Sequence, residues 1–221
     1  MNPSPHRPIN PSEAATSLIN LGEWIDSRHW CPATGGNFSH RLSSNHALIT
    51  RSGCHKGALT IADFLKVSIP DGAAITPESE NESPHLPIAK PSAETQLHTT
   101  IYAHDQSAQV ILHTHSVNST VLSRLTEGDW LTLNGFEMQK ALTGNTSHED
   151  NLQVAIVDND QDMARLASAI KNRWAEHPLS WGFLVRGHGL YSWGDSPAQA
   201  RQHLEGLEFL FACVLKMRRY E

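Results

Sequence analysis

The stretch Ala108-Gln109-Val110-Ile111-Leu112 runs directly into His113-Thr114-His115, and this junction limits the fold more than any other part of the chain. A short, β-rich apolar run of this kind reads as a strand in the middle of a sheet. Residues i and i+2 of a strand project to one face, so His113 and His115 share a side and can share one metal ion. A buried strand that ends in two imidazoles must also satisfy their nitrogens, so neighbouring elements have to supply partners. Taken alone, an H-x-H pair is as readily the polar edge of a strand.

The elements to bury such a strand are present. At 221 residues and 24.4 kDa the chain is long enough for one substantial core, and 39% hydrophobic residues exclude wholesale disorder. Helical periodicity covers 12–30 behind a Ser12 cap, a stretch opened by Ser92, a stretch capped by Ser116, 136–142, 160–176 behind Asp160, and the region after Pro197. Strand-like runs occupy 37–42, 47–50, 65–69, 108–112, 154–157, 181–185 and 190–193. Residues 71–91 are rich in Pro, Glu and Ser and are expected to form an exposed loop. No repeat or linker divides the chain. The expectation is an α/β fold over residues 1–221, a single domain with a loose arm at 1–10 and a central, largely antiparallel sheet flanked by helices.

Charge and cysteine content narrow the function. Seventeen basic against twenty-three acidic residues give a net charge of −6, which argues against a nucleic-acid partner. The longest apolar run, 209–215, is far shorter than the ~18 residues of a membrane span. Three scattered cysteines form no disulfide framework, and the first residues hold no apolar leader. A cytoplasmic location is expected. Fourteen histidines, without basic runs, point to metal or proton chemistry.

Other segments carry possible chemistry. His188, inside Arg186-Gly187-His188-Gly189-Leu190, is flanked by glycines that allow a tight turn to push one imidazole into a site; the plainer reading is an exposed hairpin histidine. Three neutral imidazoles would leave a metal with its full charge and an open position, as a catalytic zinc requires. Thr34-Gly35-Gly36-Asn37-Phe38-Ser39, with Ser52, Gly53 and Lys56, offers turns, hydroxyls and a cation suited to a phosphate group. Glu94 and Glu137 are by default solvated helix charges. Cys31 and Cys54 are not expected to act as nucleophiles, and Trp174, Trp181 and Trp193 read as core.

In order along the chain, Gly-Gly-Asn-x-Ser, Ser-Gly, Pro91-Ser92-Ala93-Glu94, His-Thr-His and Arg-Gly-His-Gly-Leu resemble the class II aldolase/adducin family. The resemblance implies an α/β/α fold and one zinc ion per subunit, held by His113, His115 and His188. It also implies a small sugar-phosphate substrate, and a homotetramer with its site near a subunit boundary. The segment Phe136-Glu137-Met138-Gln139-Lys140 is similar to a dehydratase branch of the family, in which Glu137 matches the acid/base residue. Glu94 falls where the aldolases carry their catalytic glutamate. The cradle of Gly36, Asn37, Ser39, Ser52, Gly53 and Lys56 would then hold the phosphate. An aldolase or epimerase remains the nearest alternative. A non-catalytic adducin-like module would be expected to lack the three histidines, and a cupin-like protein would lack the helices.

Overall fold

The computed structural model describes residues 8–75 and 91–220, so most of the expected amino-terminal arm and of the loop at 71–91 lies outside the described residues. The first helix, α1 (Pro11–Ser27), starts one residue before the expected cap: Asn10 accepts from the Ser12 backbone N–H at 2.9 Å, and Pro11 fills the first turn, where no N–H is needed. The chain then forms strands β1 (Asn37–Arg41), β2 (His46–Thr50) and β3 (Phe64–Ser68). Helix α2 (Thr95–His104) leads into β4 (Val110–Thr114), and α3 (Val117–Leu125) follows with Ser116 as its cap, as expected. After β5 (Trp130–Leu133) come β6 (Leu152–Val157), α4 (Met163–Glu176), β7 (Gly182–Val185), β8 (Gly189–Gly194) and α5 (Pro197–Met217).

The strands form one sheet in the order β3-β2-β1-β4-β8-β7-β6-β5, antiparallel throughout except for the pair β6–β7. Period-two alternation divides its side chains between two apolar layers. Val110 and Leu112 pack on the side of α1, α3 and α5, whereas Ile111 packs on the side of α2 and α4 with Leu97, Ile101 and Ile170. Helices cover both faces, so β4 is buried along its whole length.

Three expectations are corrected, and one strand is added. Helix α2 begins at Thr95, because Ser92, Ala93 and Glu94 form a turn whose Ser92 carbonyl accepts from the Thr95 N–H at 3.1 Å and the Thr95 hydroxyl at 2.6 Å. Asp162, not Asp160, caps α4, accepting from Ala164 N–H at 2.9 Å; Asp160 pairs with Arg165 instead. The segment 136–142 is a short 3-10 helix, Glu137–Ala141, whose backbone bonds span three residues: the Gln139 N–H donates to the Phe136 carbonyl and the Leu142 N–H to the Gln139 carbonyl, both at 3.0 Å. Strand β5 had no counterpart in the sequence reading; it is a four-residue edge strand with too few residues to establish a period. Among the described residues, no helix is long and apolar enough to cross a membrane.

Candidate metal and substrate site

Strand β4 delivers His113 to the sheet centre, and the register opposite Tyr191 of β8 stacks the two rings 4.0 Å apart. His113 is fully buried, and its Nδ1 lies 3.1 Å from the Leu190 carbonyl oxygen. A neutral ring donating from Nδ1–H to that carbonyl keeps a lone pair on Nε2, facing the site. His115 is fixed by its backbone N–H, which donates to the Trp30 carbonyl at 2.8 Å behind the end of α1. Gly36, with φ +75°, lies directly below the strand end, where an added Cβ would collide with the His113 carbonyl.

His188 arrives from the tight turn between β7 and β8. Its N–H donates to the Val185 carbonyl at 3.0 Å, and its carbonyl accepts from Thr120 of α3 at 3.0 Å. The turn is braced by Arg186, which donates to the Ser123, Thr126 and Gly128 carbonyls. Glycine at 189 lets the returning strand pass the Thr114 carbonyl, which a side chain there would strike. The plain hairpin reading of His188 is therefore set aside. His113 Nε2 lies 2.8 Å from His115 Nε2 and 3.4 Å from His188 Nε2, and the three donor atoms fall within 4.8 Å of one another.

Such convergence of imidazole nitrogens is what a single divalent cation requires, and the donor set fits zinc. Burial, followed by the neighbouring rings, pushes the His113 pKa well below the usual histidine value, and burial brings that of His115 to about 4. Both rings are neutral near pH 7 and ready to act as ligands.

Glu94 closes one edge of this triangle. At the N-cap position of α2, its two carboxylate oxygens lie 3.5 Å from His113 Nε2 and 3.5 Å from His188 Nε2. It is therefore no solvated helix charge. A cleft of about 390 Å³ opens beside it, bordered by Gly36, Asn37, Ser52, Gly53, His115 and His188.

Two residues expected in the cradle do not border that cleft. Ser39 is fully buried and bonded to His98 Nδ1 at 2.7 Å and to the Tyr102 hydroxyl at 2.8 Å. Lys56 is buried too: its Nζ donates to the Thr34 carbonyl at 2.9 Å and the Cys54 carbonyl at 2.7 Å, tying two loops together. Both are structural here, because their polar atoms are committed to protein groups. Glu137 also stands apart from His113, His115 and His188 of its own chain, and lies 3.8 Å from His148 Nδ1 instead. It is 73% exposed on its short helix, and a hydrogen bond from Lys140 at 2.7 Å lowers its pKa. Burial raises the Cys31 thiol to about 12, which removes it as a nucleophile.

The model of the class II aldolase and adducin N-terminal domain matches residues 16–215. The chain belongs to that family. As a member of the class II aldolase and adducin family, it is 51% identical over 206 residues to a methylthioribulose-1-phosphate dehydratase of Serratia proteamaculans, covering 93% of this chain and 95% of that one. Its family fold is shared with YgbL of Klebsiella pneumoniae, at a TM-score of 0.77 and 24% identity, covering 96% of this chain and 93% of that one. The L-fuculose-1-phosphate aldolase of Thermus thermophilus superposes with a TM-score of 0.67 at 23% identity, covering 96% of this chain and 98% of that one. The sequence reading missed His98 and Tyr191. The signal for His98 was its spacing from Glu94, four residues apart and so on one side of a helix.

Proposed function

We propose that this chain removes water from 5-methylthioribulose 1-phosphate to give 5-methylthio-2,3-dioxopentyl 1-phosphate, as a cytoplasmic enzyme of methionine salvage. The observation that carries this reading is the 51% identity to a dehydratase over 93% of the chain, joined to a convergent triangle of His113, His115 and His188. Zinc held by those histidines would supply Lewis acidity toward the ketone and hydroxyl oxygens of the sugar.

The remaining work falls to the chain itself. The C3 proton is weakly acidic and the C4 hydroxyl is a poor leaving group, so a base and an acid are both required. Glu94 is the carboxylate beside the histidine triangle and takes the C3 proton. Gly36, Ser52 and Gly53, with the turn before α2, border the cleft and hold the phosphate, which fixes C3 against the base. Asn37 borders the same cleft, but its side-chain amide is engaged by Glu94 and His98.

Glu137 protonates the departing C4 hydroxyl, and we assign that role to the Glu137 of a neighbouring copy in a homotetramer. Two features support the assignment. Glu137 shares an open surface hollow with Met138 and Phe209, exposed apolar side chains that a second copy would cover. An acid also needs a raised pKa, and Glu137 gains one only when burial at an interface outweighs its bond from Lys140.

Metal analysis and a product assay test the function together. Protein purified without chelator should carry one zinc per subunit and yield a product lighter than the substrate by one water. A shortened sugar phosphate from carbon–carbon cleavage would replace the dehydratase reading with an aldolase.

A further inference from the structure

Behind Glu94 lies a row of buried polar groups. Asn37, at the start of β1, donates from Nδ2 to Glu94 Oε2 at 2.5 Å, and its Oδ1 is in close hydrogen-bond contact with His98 Nε2. Across the ring, His98 Nδ1 lies 2.7 Å from Ser39 Oγ, which lies 2.8 Å from the Tyr102 hydroxyl. Asn37, Ser39, His98 and Tyr102 are each exposed by 3% or less. At that depth a misdirected donor or acceptor has no water to turn to.

Donor and acceptor capacities then determine the order of the row. A carboxylate only accepts, so Asn37 must present its NH2 group to Glu94 and its carbonyl oxygen to His98. That oxygen only accepts, so the imidazole must carry its proton on Nε2. Its bare Nδ1 accepts from the Ser39 hydroxyl, which accepts in turn from Tyr102, whose single proton is shared between Ser39 Oγ at 2.8 Å and the Gln109 carbonyl at 3.3 Å. Burial lowers the His98 pKa to about 3, consistent with a neutral ring holding one proton.

We propose that His98 is a positioning residue: as its Nε2–H tautomer it fixes the Asn37 amide, which holds the Glu94 carboxylate against the histidine triangle. An amide turned the other way would set its oxygen against the carboxylate and push it out of place. The inference rests on Glu94 acting in the proposed reaction. It moves the Asn37 side chain from phosphate binding to support of the base, so its loss should lower kcat more than it raises KM.

Two substitutions separate the two ring nitrogens. In His98→Gln the longer side chain can place an N–H donor near the former Nε2, toward Asn37. In His98→Asn the shorter side chain reaches only as far as Nδ1, toward Ser39. His98→Gln should retain most of kcat. His98→Asn should lose on the order of 10- to 100-fold in kcat, with zinc content and KM close to wild type. Nitrogen-15 NMR of the metal-free protein should show His98 protonated on Nε2. An Nδ1–H tautomer, a wild-type kcat in His98→Asn, or equal losses in both variants would overturn the proposal. If His98→Asn does not fold, the tautomer decides alone. A wild-type protein that fails to dehydrate the substrate would remove the proposed function, while the NMR result still judges the order of the row.

Discussion

The ligand role proposed for His113 depends on what its other nitrogen does. The bond from Nδ1–H to the Leu190 carbonyl selects the tautomer and aims the ring, so the ligand is built before any metal arrives. Replacing His188, which sits on a turn braced by other groups, should therefore leave the fold intact. His188→Ala should lose most bound zinc and all measurable dehydration while keeping a wild-type circular dichroism spectrum. Full metal content in that variant would end the three-ligand assignment. At Glu94, substitution by Gln keeps the shape and removes the proposed base; kcat should fall on the order of 10²–10⁴-fold in steady-state assays with KM little changed. Buried His98 also has a consequence for acid stability. Its folded pKa, about 3, lies below the ordinary 6.5, so the unfolded chain takes up the proton first. Stability should decline as pH falls from about 6.5 toward 3, and His98→Gln should reduce the slope of denaturant-derived stability against pH.

The joint between α3 and α5 shows the same logic for whole elements. Ser116 caps α3 by accepting from the Ser119 N–H at 3.0 Å, and its hydroxyl lies 2.7 Å from the Glu208 carboxylate of α5. That carboxylate is almost wholly enclosed, and burial raises its pKa to about 7. A folded pKa above the unfolded value near 4.5 gives stability that is complete at low pH and is lost as pH rises toward 7. Gln at this position cannot ionise and still accepts from Ser116. Glu208→Gln should therefore raise the melting temperature at about pH 8 relative to wild type, with the gain shrinking toward pH 4.5. A variant less stable at every pH would mean that the ionised carboxylate, not a neutral acceptor, holds α3 to α5.

For the whole molecule, the surface left open is as informative as the cleft. Val117, Val121 and Leu125 recur every four residues along α3 and remain 75%, 39% and 54% exposed, and Phe209 on α5 is 49% exposed. Apolar area of this kind marks a face that another surface covers. In the proposed tetramer that surface is a second copy, which brings Glu137 to the neighbour's histidines. Complementation tests this directly. Glu137→Gln and His113→Ala proteins should each be inactive alone. Unfolded together and refolded, they should recover part of the wild-type rate, because some boundaries join an intact triangle to an intact Glu137. Glu137→Gln with wild-type kcat would return the residue to a surface charge, and failure of the mixture would place Glu137 in its own chain's site.

Much of this protein was determined locally along the chain. The strand character of 108–112, the shared face of His113 and His115, the Ser116 cap and the amphipathic α5 all follow from residues within a few positions of one another. Helix boundaries near Ser12, Ser92 and Asp160 were misplaced because several capping residues competed within one turn, and tertiary contacts chose among them. The roles of Ser39 and Lys56 were hidden for a different reason. A hydroxyl or an ammonium in a glycine-rich stretch has the same appearance in sequence whether it faces a ligand or a buried carbonyl. Only the packing of β1 on α2, and of the 34 loop on the 54 loop, consumed their hydrogen bonds. The approach of Glu94 to two histidines 19 and 94 residues away, and its link through Asn37 to His98, are likewise properties of the assembled layers. Local pattern sets which elements form and where their polar ends lie; the direction in which a buried donor points is decided by whichever acceptor the folded chain brings within reach.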